Sequence, residues 1–102
     1  MATNVSKDGR LKVGDIVSHF KRDTYMQLKA ETPDPNMYLY KIVAFASHTE
    51  TKEELVVYQA LYNQDGEFKT YCRPYDMFMS EVDREKYPDA KQTYRLELWT
   101  GK

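Results

Sequence analysis

The chain has 102 residues, 15 of them basic and 16 acidic, for a formal charge of −1. That length suits one domain with one small core, and its 41% apolar and 30% charged residues are the balance of a folded domain rather than a disordered one. The near-neutral charge argues against a non-specific polyanion binder, though a local basic patch fits within it. Cys72 is the only cysteine, which excludes an intramolecular disulfide and a multi-cysteine zinc site. The first ten residues lack an apolar leader region, and no apolar run is long enough to span a bilayer. A cytoplasmic location without membrane contact is therefore expected.

Residues 1–10 are polar and read as a flexible N-terminal tail, with residues 11–100 forming a single small domain. A first strand is expected from Asp15 to Phe20, after the Gly14-Asp15 turn pair. Residues 23–37 form a loop insertion, because Pro33 and Pro35 lack donors and hold their predecessors extended. The second strand runs from Tyr38 to Ala46. Tyr40, Ile42 and Ala44 alternate with Leu39, Val43 and Phe45, so both faces meet protein or the strand is bulged.

A charged loop, His48 to Glu54, leads into the third strand, Leu55 to Tyr62. Asn63 to Gly66 has the composition of a hairpin turn into the fourth strand, Glu67 to Arg73. There Phe68, Thr70 and Cys72 alternate with Lys69, Tyr71 and Arg73, and the set with Phe68 and Cys72 is expected inside. After Pro74 a short helical insertion is expected, capped by Asp76, with Met77, Phe78 and Val82 inward. The last strand follows in the segment from Gln92 to Trp99. These elements predict a mainly β domain, either a small five-stranded SH3-like barrel or a bent antiparallel sheet. A small α+β sheet is the alternative.

Three blocks carry a family resemblance. His19 and Lys21 sit in "SHFKR". "ASHTETKEELVVYQALY" supplies His48, Glu50, Thr51, Glu53, Glu54, Val56, Val57, Tyr58, Leu61 and Tyr62. Arg73, Pro74, Met77 and Phe78 come from "CRPYDMF". Together they resemble a bacterial family of small domains of unknown function, number sixteen fifty-three in the usual naming. The resemblance covers roughly Val13 to Glu81. This chain departs from the pattern at Phe20, Thr49 and Tyr71, and in the extra residues between Lys21 and Tyr40. The resemblance implies a shared fold and no particular activity.

Two sets of side chains are candidates for a site. His19, Lys21 and Arg73, with Tyr58, Tyr62 or Tyr71, would make an aromatic-floored basic cleft suited to a phosphate, a carboxylate or a stacked base. The bland alternative has Arg73 bracing the Arg-Pro turn through a carboxylate such as Glu54, with Lys21 solvated. His48, Glu50 and Glu53 are weak candidates for a divalent metal, but their spacing matches no known catalytic zinc or iron pattern. A solvated hairpin loop explains them more simply.

Cys72 has no activating context, and the glycines form no phosphate-binding motif. The expected function is therefore a small binding module for a peptide, a protein or a nucleic acid, with no cofactor, no metal and no catalysis. The alternatives are an enzyme using the His48-Glu50 loop and a structural protein acting by self-association. A monomer or weak dimer is expected.

Overall fold

The computed structural model describes residues 4–22, 25, 36–62 and 66–100. These residues form five strands: β1 (Ile16–His19), β2 (Leu39–Ser47), β3 (Glu54–Ala60), β4 (Thr70–Pro74) and β5 (Leu96–Leu98). One short helix, α1 (Tyr75–Phe78), lies between β4 and β5. The strands make a single antiparallel sheet in the order β4-β3-β2-β1-β5. The sheet is open, so the chain takes the sheet form of the two mainly β arrangements that its patterning allows. Most of loop 23–37 and the turn residues 63–65 lie outside the described residues.

β2 resolves its own ambiguity with a bulge. Ile42 pairs with Tyr58 and Ala44 with Val57, and the register shifts between them. The extra residue, Val43, is 44% exposed. A bulge swaps the faces that follow it, so Tyr40, Ile42 and Phe45 all turn toward the core although their spacing is uneven.

Across the neighbouring strands the same face carries Val17, Val56, Tyr58, Ala60 and Leu96, joined by Leu11 and Phe78 from outside the sheet. Phe78, Val17, Ile42 and Val56 are completely buried. Aromatic pairs knit this face together. Tyr58 meets the Tyr40 ring edge-on at 5.2 Å between centroids and the Phe78 ring at 5.0 Å.

Three expectations about side-chain direction need correction. Cys72 is exposed and Phe68 is 54% exposed, so the face bearing them is the outer one. Tyr71, opposite Tyr58 in the register, takes the inner side and brings Arg73 with it. Met77 is also exposed, at 48%. Successive helical residues diverge by about 100°, so a single turn that buries Phe78 turns Met77 to solvent. Asp76 makes no capping bond. Pro74 occupies the cap position, where its missing N–H costs nothing, and Asp76 lies inside the first turn.

Residues 4–13, most of them assigned to the tail by composition, pack against the sheet. Val5 bridges Lys12, and Gly9 turns the chain at φ 74°. The Ser6 hydroxyl accepts from the Leu11 N–H at 3.1 Å and donates to Asp8 Oδ1 at 2.7 Å. These bonds satisfy the polar groups around Leu11, which enters the core at 1% exposure. Arg10 lies 3.5 Å from the centroid of the Tyr94 ring and donates to the Met79 carbonyl.

At the other edge the Gln92 side chain secures β5. Its Nε2 donates to the carbonyls of Ser18 and Tyr94, and its Oε1 accepts from the Ser18 hydroxyl at 2.8 Å.

Truncating Phe78 to alanine is expected to lower the unfolding free energy by about 3–5 kcal/mol, the usual cost of emptying a buried aromatic site. Met77→Ala is expected to stay within about 0.5 kcal/mol of the parent. Urea melts with unchanged slope would register both.

Candidate functional site

The inner face of the sheet is not filled throughout. A cavity of about 200 Å³ opens on it, lined by His19, Lys21, Tyr38, Tyr40, Tyr58, Arg73 and Leu96. Every strand contributes. His19 ends β1 and faces Leu96 at the start of β5 in the register. Tyr40 comes from β2, Tyr58 from β3 and Arg73 from β4. Lys21 follows β1, and Tyr38 stands just before β2.

Of the residues named from the sequence for this site, His19, Lys21, Tyr58 and Arg73 line the cavity. Tyr62 does not. It is buried behind the wall, and its hydroxyl shares a 2.9 Å hydrogen bond with that of Tyr40. Tyr62 thus positions a wall residue and does not form the wall. Tyr38, Tyr40 and Leu96 also line it; the two tyrosines belong to the chain's aromatic set, but none of the three was named for this site from the sequence. The alternation does assign Tyr40 and Leu96 to apolar faces, but it does not say where a core leaves a gap.

Tyr38 has φ 64°, left-handed backbone that a bulky residue adopts at a cost. Its carbonyl accepts from the His19 N–H at 2.9 Å. The strained residue is therefore tied to the end of β1, with its ring 5.6 Å from the imidazole.

His19 is held as a neutral base. Its Nδ1 accepts from the Lys21 N–H at 3.1 Å, which places the ring proton on Nε2. Burial, then the positive charges of Lys21, Arg73 and Arg95, push its pKa down to about 4. The ring also stacks on Phe20 at 4.6 Å. Burial raises the phenols of Tyr40 and Tyr58 above their ordinary value, and Tyr62 adds to the shift at Tyr40. At neutral pH these groups present N–H and O–H donors without charge.

The formal charge of the cavity comes from Lys21 and Arg73. Lys21 Nζ lies 5.7 Å from the centroid of the Tyr87 ring. Neither side chain makes an ion pair among the described residues. Glu54, the carboxylate considered as a brace for Arg73, pairs instead with Lys7. Among the described residues no carboxylate lines the cavity. A chain with almost no net charge thus concentrates positive potential in one concave place.

The other candidate set is arranged differently. His48 Nδ1 accepts from the backbone N–H groups of Glu50 and Thr51, at 3.1 and 3.3 Å. The Thr51 hydroxyl accepts from the Glu53 N–H. His48 and Glu53 close the loop through a 2.8 Å backbone bond, and Lys52 makes the turn at φ 64°. The imidazole is the internal brace of this hairpin. Among the described residues no three His, Cys, Asp or Glu side chains are grouped so as to hold a metal ion.

The chain belongs to the family described as "Protein of unknown function (DUF1653)", whose model matches residues 15–97. That span contains every residue lining the cavity and the whole braced loop. No curated protein and no solved structure matches the chain. No helix among the described residues is long and apolar enough to cross a membrane.

Removing the loop brace with His48→Ala is expected to cost about 1 kcal/mol in urea melts, the net worth of an ordinary hydrogen bond or two. A second prediction concerns His19. Its folded pKa of about 4 lies below the ordinary 6.5, so between those values the unfolded chain binds the additional proton. The stability held by the neutral ring is complete above about pH 6.5 and is lost as the pH falls toward 4. The loss amounts to at most about 3 kcal/mol, reduced by the partial exposure of the ring. His19→Gln should flatten that limb of the stability profile. An acid limb of unchanged steepness in the variant would show that another group causes it.

Proposed function

We propose that this chain is a binding module whose cavity receives one anionic group presented by a larger partner, a protein or a nucleic acid. The observation that carries the reading is the convergence of Lys21 and Arg73 on a cavity walled by tyrosines and a neutral histidine, with no carboxylate among the described lining residues. Cations without ion-pair partners beside apolar walls attract an anion more strongly than the same cations in open water. At about 200 Å³, the space is smaller than the 300–1,000 Å³ or so of pockets that enclose whole small-molecule ligands. A protruding group of a partner suits it better than a complete metabolite.

Binding is favoured over catalysis on the chemistry of the lining. Among the described residues the lining has no thiol, carboxylate or serine to act as nucleophile. With a pKa of about 4, His19 is a weak base at neutral pH, whereas efficient proton transfer calls for a value near the working pH. The reading also takes the bacterial origin and cytoplasmic location expected from the sequence.

Isotope-labelled protein titrated with a short acidic peptide and with a single-stranded oligonucleotide provides the test. One of the two is expected to shift the amide signals of His19, Tyr38 and Arg73 together, and Arg73→Ala is expected to weaken that response at least tenfold. If the oligonucleotide is the ligand, log K should fall with log salt at about −0.7 per phosphate engaged, near −1.4 for two contacts. Titrations that leave the cavity signals still while moving those of another surface would refute the proposal.

A further inference from the structure

The charge count of the cavity discriminates between anions, and resting on the reading above we infer that the group it takes is a phosphate dianion rather than a carboxylate. Among the described residues two cations line the cavity, Lys21 and Arg73, with no acidic side chain between them. Arg95 adds a third positive charge close enough to act on His19. A single carboxylate would leave at least one of these charges uncompensated in a recess that is partly shielded from water. A phosphate monoester carries between 1.5 and 2 negative charges near neutrality, with three acceptor oxygens.

The donors match that number in kind. Arg73 offers a planar fork suited to two oxygens of one phosphate. Lys21 offers a compact point charge. His19 keeps its proton on Nε2, because Nδ1 is engaged by the Lys21 N–H, so the ring donates without adding charge. These are groups of different reach around one volume. A carboxylate, with two oxygens in one plane, satisfies the guanidinium alone.

Two further observations agree. Among the described residues no carboxylate pairs with Arg73. Glu54, which β3 carries near the Arg73 end of β4, is drawn to Lys7, at the packed N-terminal segment. The cavity also has a half-exposed aromatic edge at Tyr38, whose strained backbone holds the ring beside His19. A phosphate carried on a nucleotide could lay its base there, since every base has a π-face for an aromatic side chain. Free phosphate would engage only the polar end.

The test uses the full chain and four probes at pH 8: inorganic phosphate, sulfate, acetate and uridine 5′-monophosphate. Binding is read from the amide and imidazole signals of the cavity. Phosphate and sulfate, both dianions, are expected to bind at least tenfold more tightly than acetate. Arg73→Gln and Lys21→Gln are each expected to weaken phosphate about tenfold, a difference of about 1.4 kcal/mol. Arg73→Lys, which keeps the charge and loses the fork, should recover only part of that loss. Circular dichroism verifies that each variant is folded.

Tighter binding of the nucleotide than of inorganic phosphate assigns the phosphate to a nucleotide. Equal binding assigns it to free phosphate. Acetate binding as tightly as phosphate overturns this inference while leaving an anion-binding module intact. Phosphate shifts that are confined to other surface lysines and persist in Arg73→Gln overturn it as well. If no anion, peptide or oligonucleotide moves the cavity signals, both readings fall together.

Discussion

Ile42, Tyr58 and Tyr71 stand opposite one another across β2, β3 and β4, and the rest of the molecule is arranged around that row. The inner face of the sheet carries most of the buried apolar side chains among the described residues. The row lies on it. Once Tyr58 and Tyr71 point inward, two-residue alternation sends Arg73 to the same side as the core, despite its charge. A guanidinium on an inner face needs water, a partner or a cavity. The chain provides a cavity, and the tyrosines that would otherwise close it form its walls.

The bulge at Val43 makes this possible. Without it Phe45 would leave the inner face, because a regular strand carries only every second residue there. With it Ile42 and Phe45 both pack inward, and the extra residue, Val43, is turned out to solvent. Phe45 then meets Tyr75 of α1 at 6.1 Å between ring centroids. The N-terminal segment reaches the same region, where the Lys7 N–H donates to the Tyr75 hydroxyl at 2.8 Å. Packing of the helix turn, the N-terminal segment and β2 thus depends on one irregularity in one strand.

The two histidines illustrate how similar local bonding leads to different roles. Each uses Nδ1 as an acceptor for backbone N–H groups nearby in the chain. His48 does so in an exposed hairpin loop, where the bonds organise the turn. His19 does so at the end of β1, where the ring also borders a cavity among cations. Position in the fold separates a brace from a candidate ligand group. The imidazole chemistry is the same in both.

Much of this was legible in the chain itself. Alternation and β-prone composition located all five strands and the antiparallel, mainly β class, because a strand with one buried face must repeat every two residues. Tyr71 and Arg73 could be assigned a common face from the same periodicity, whereas the grouping of His19, Lys21, Tyr58 and Arg73 rests on the expectation that the ends of the first and fourth strands lie close together. Which face of β4 is the inner one was not legible, since Phe68 and Cys72 are as apolar on paper as Tyr71. The docking of Leu11 was equally hidden, as one leucine after a polar stretch carries no period. Only tertiary packing could choose these, because they depend on which side chains meet across strands distant in sequence. The same holds for the gap bordered by Tyr38, Tyr40 and Leu96. A local pattern determines which way a side chain points, and the assembled sheet determines whether anything fills the space in front of it.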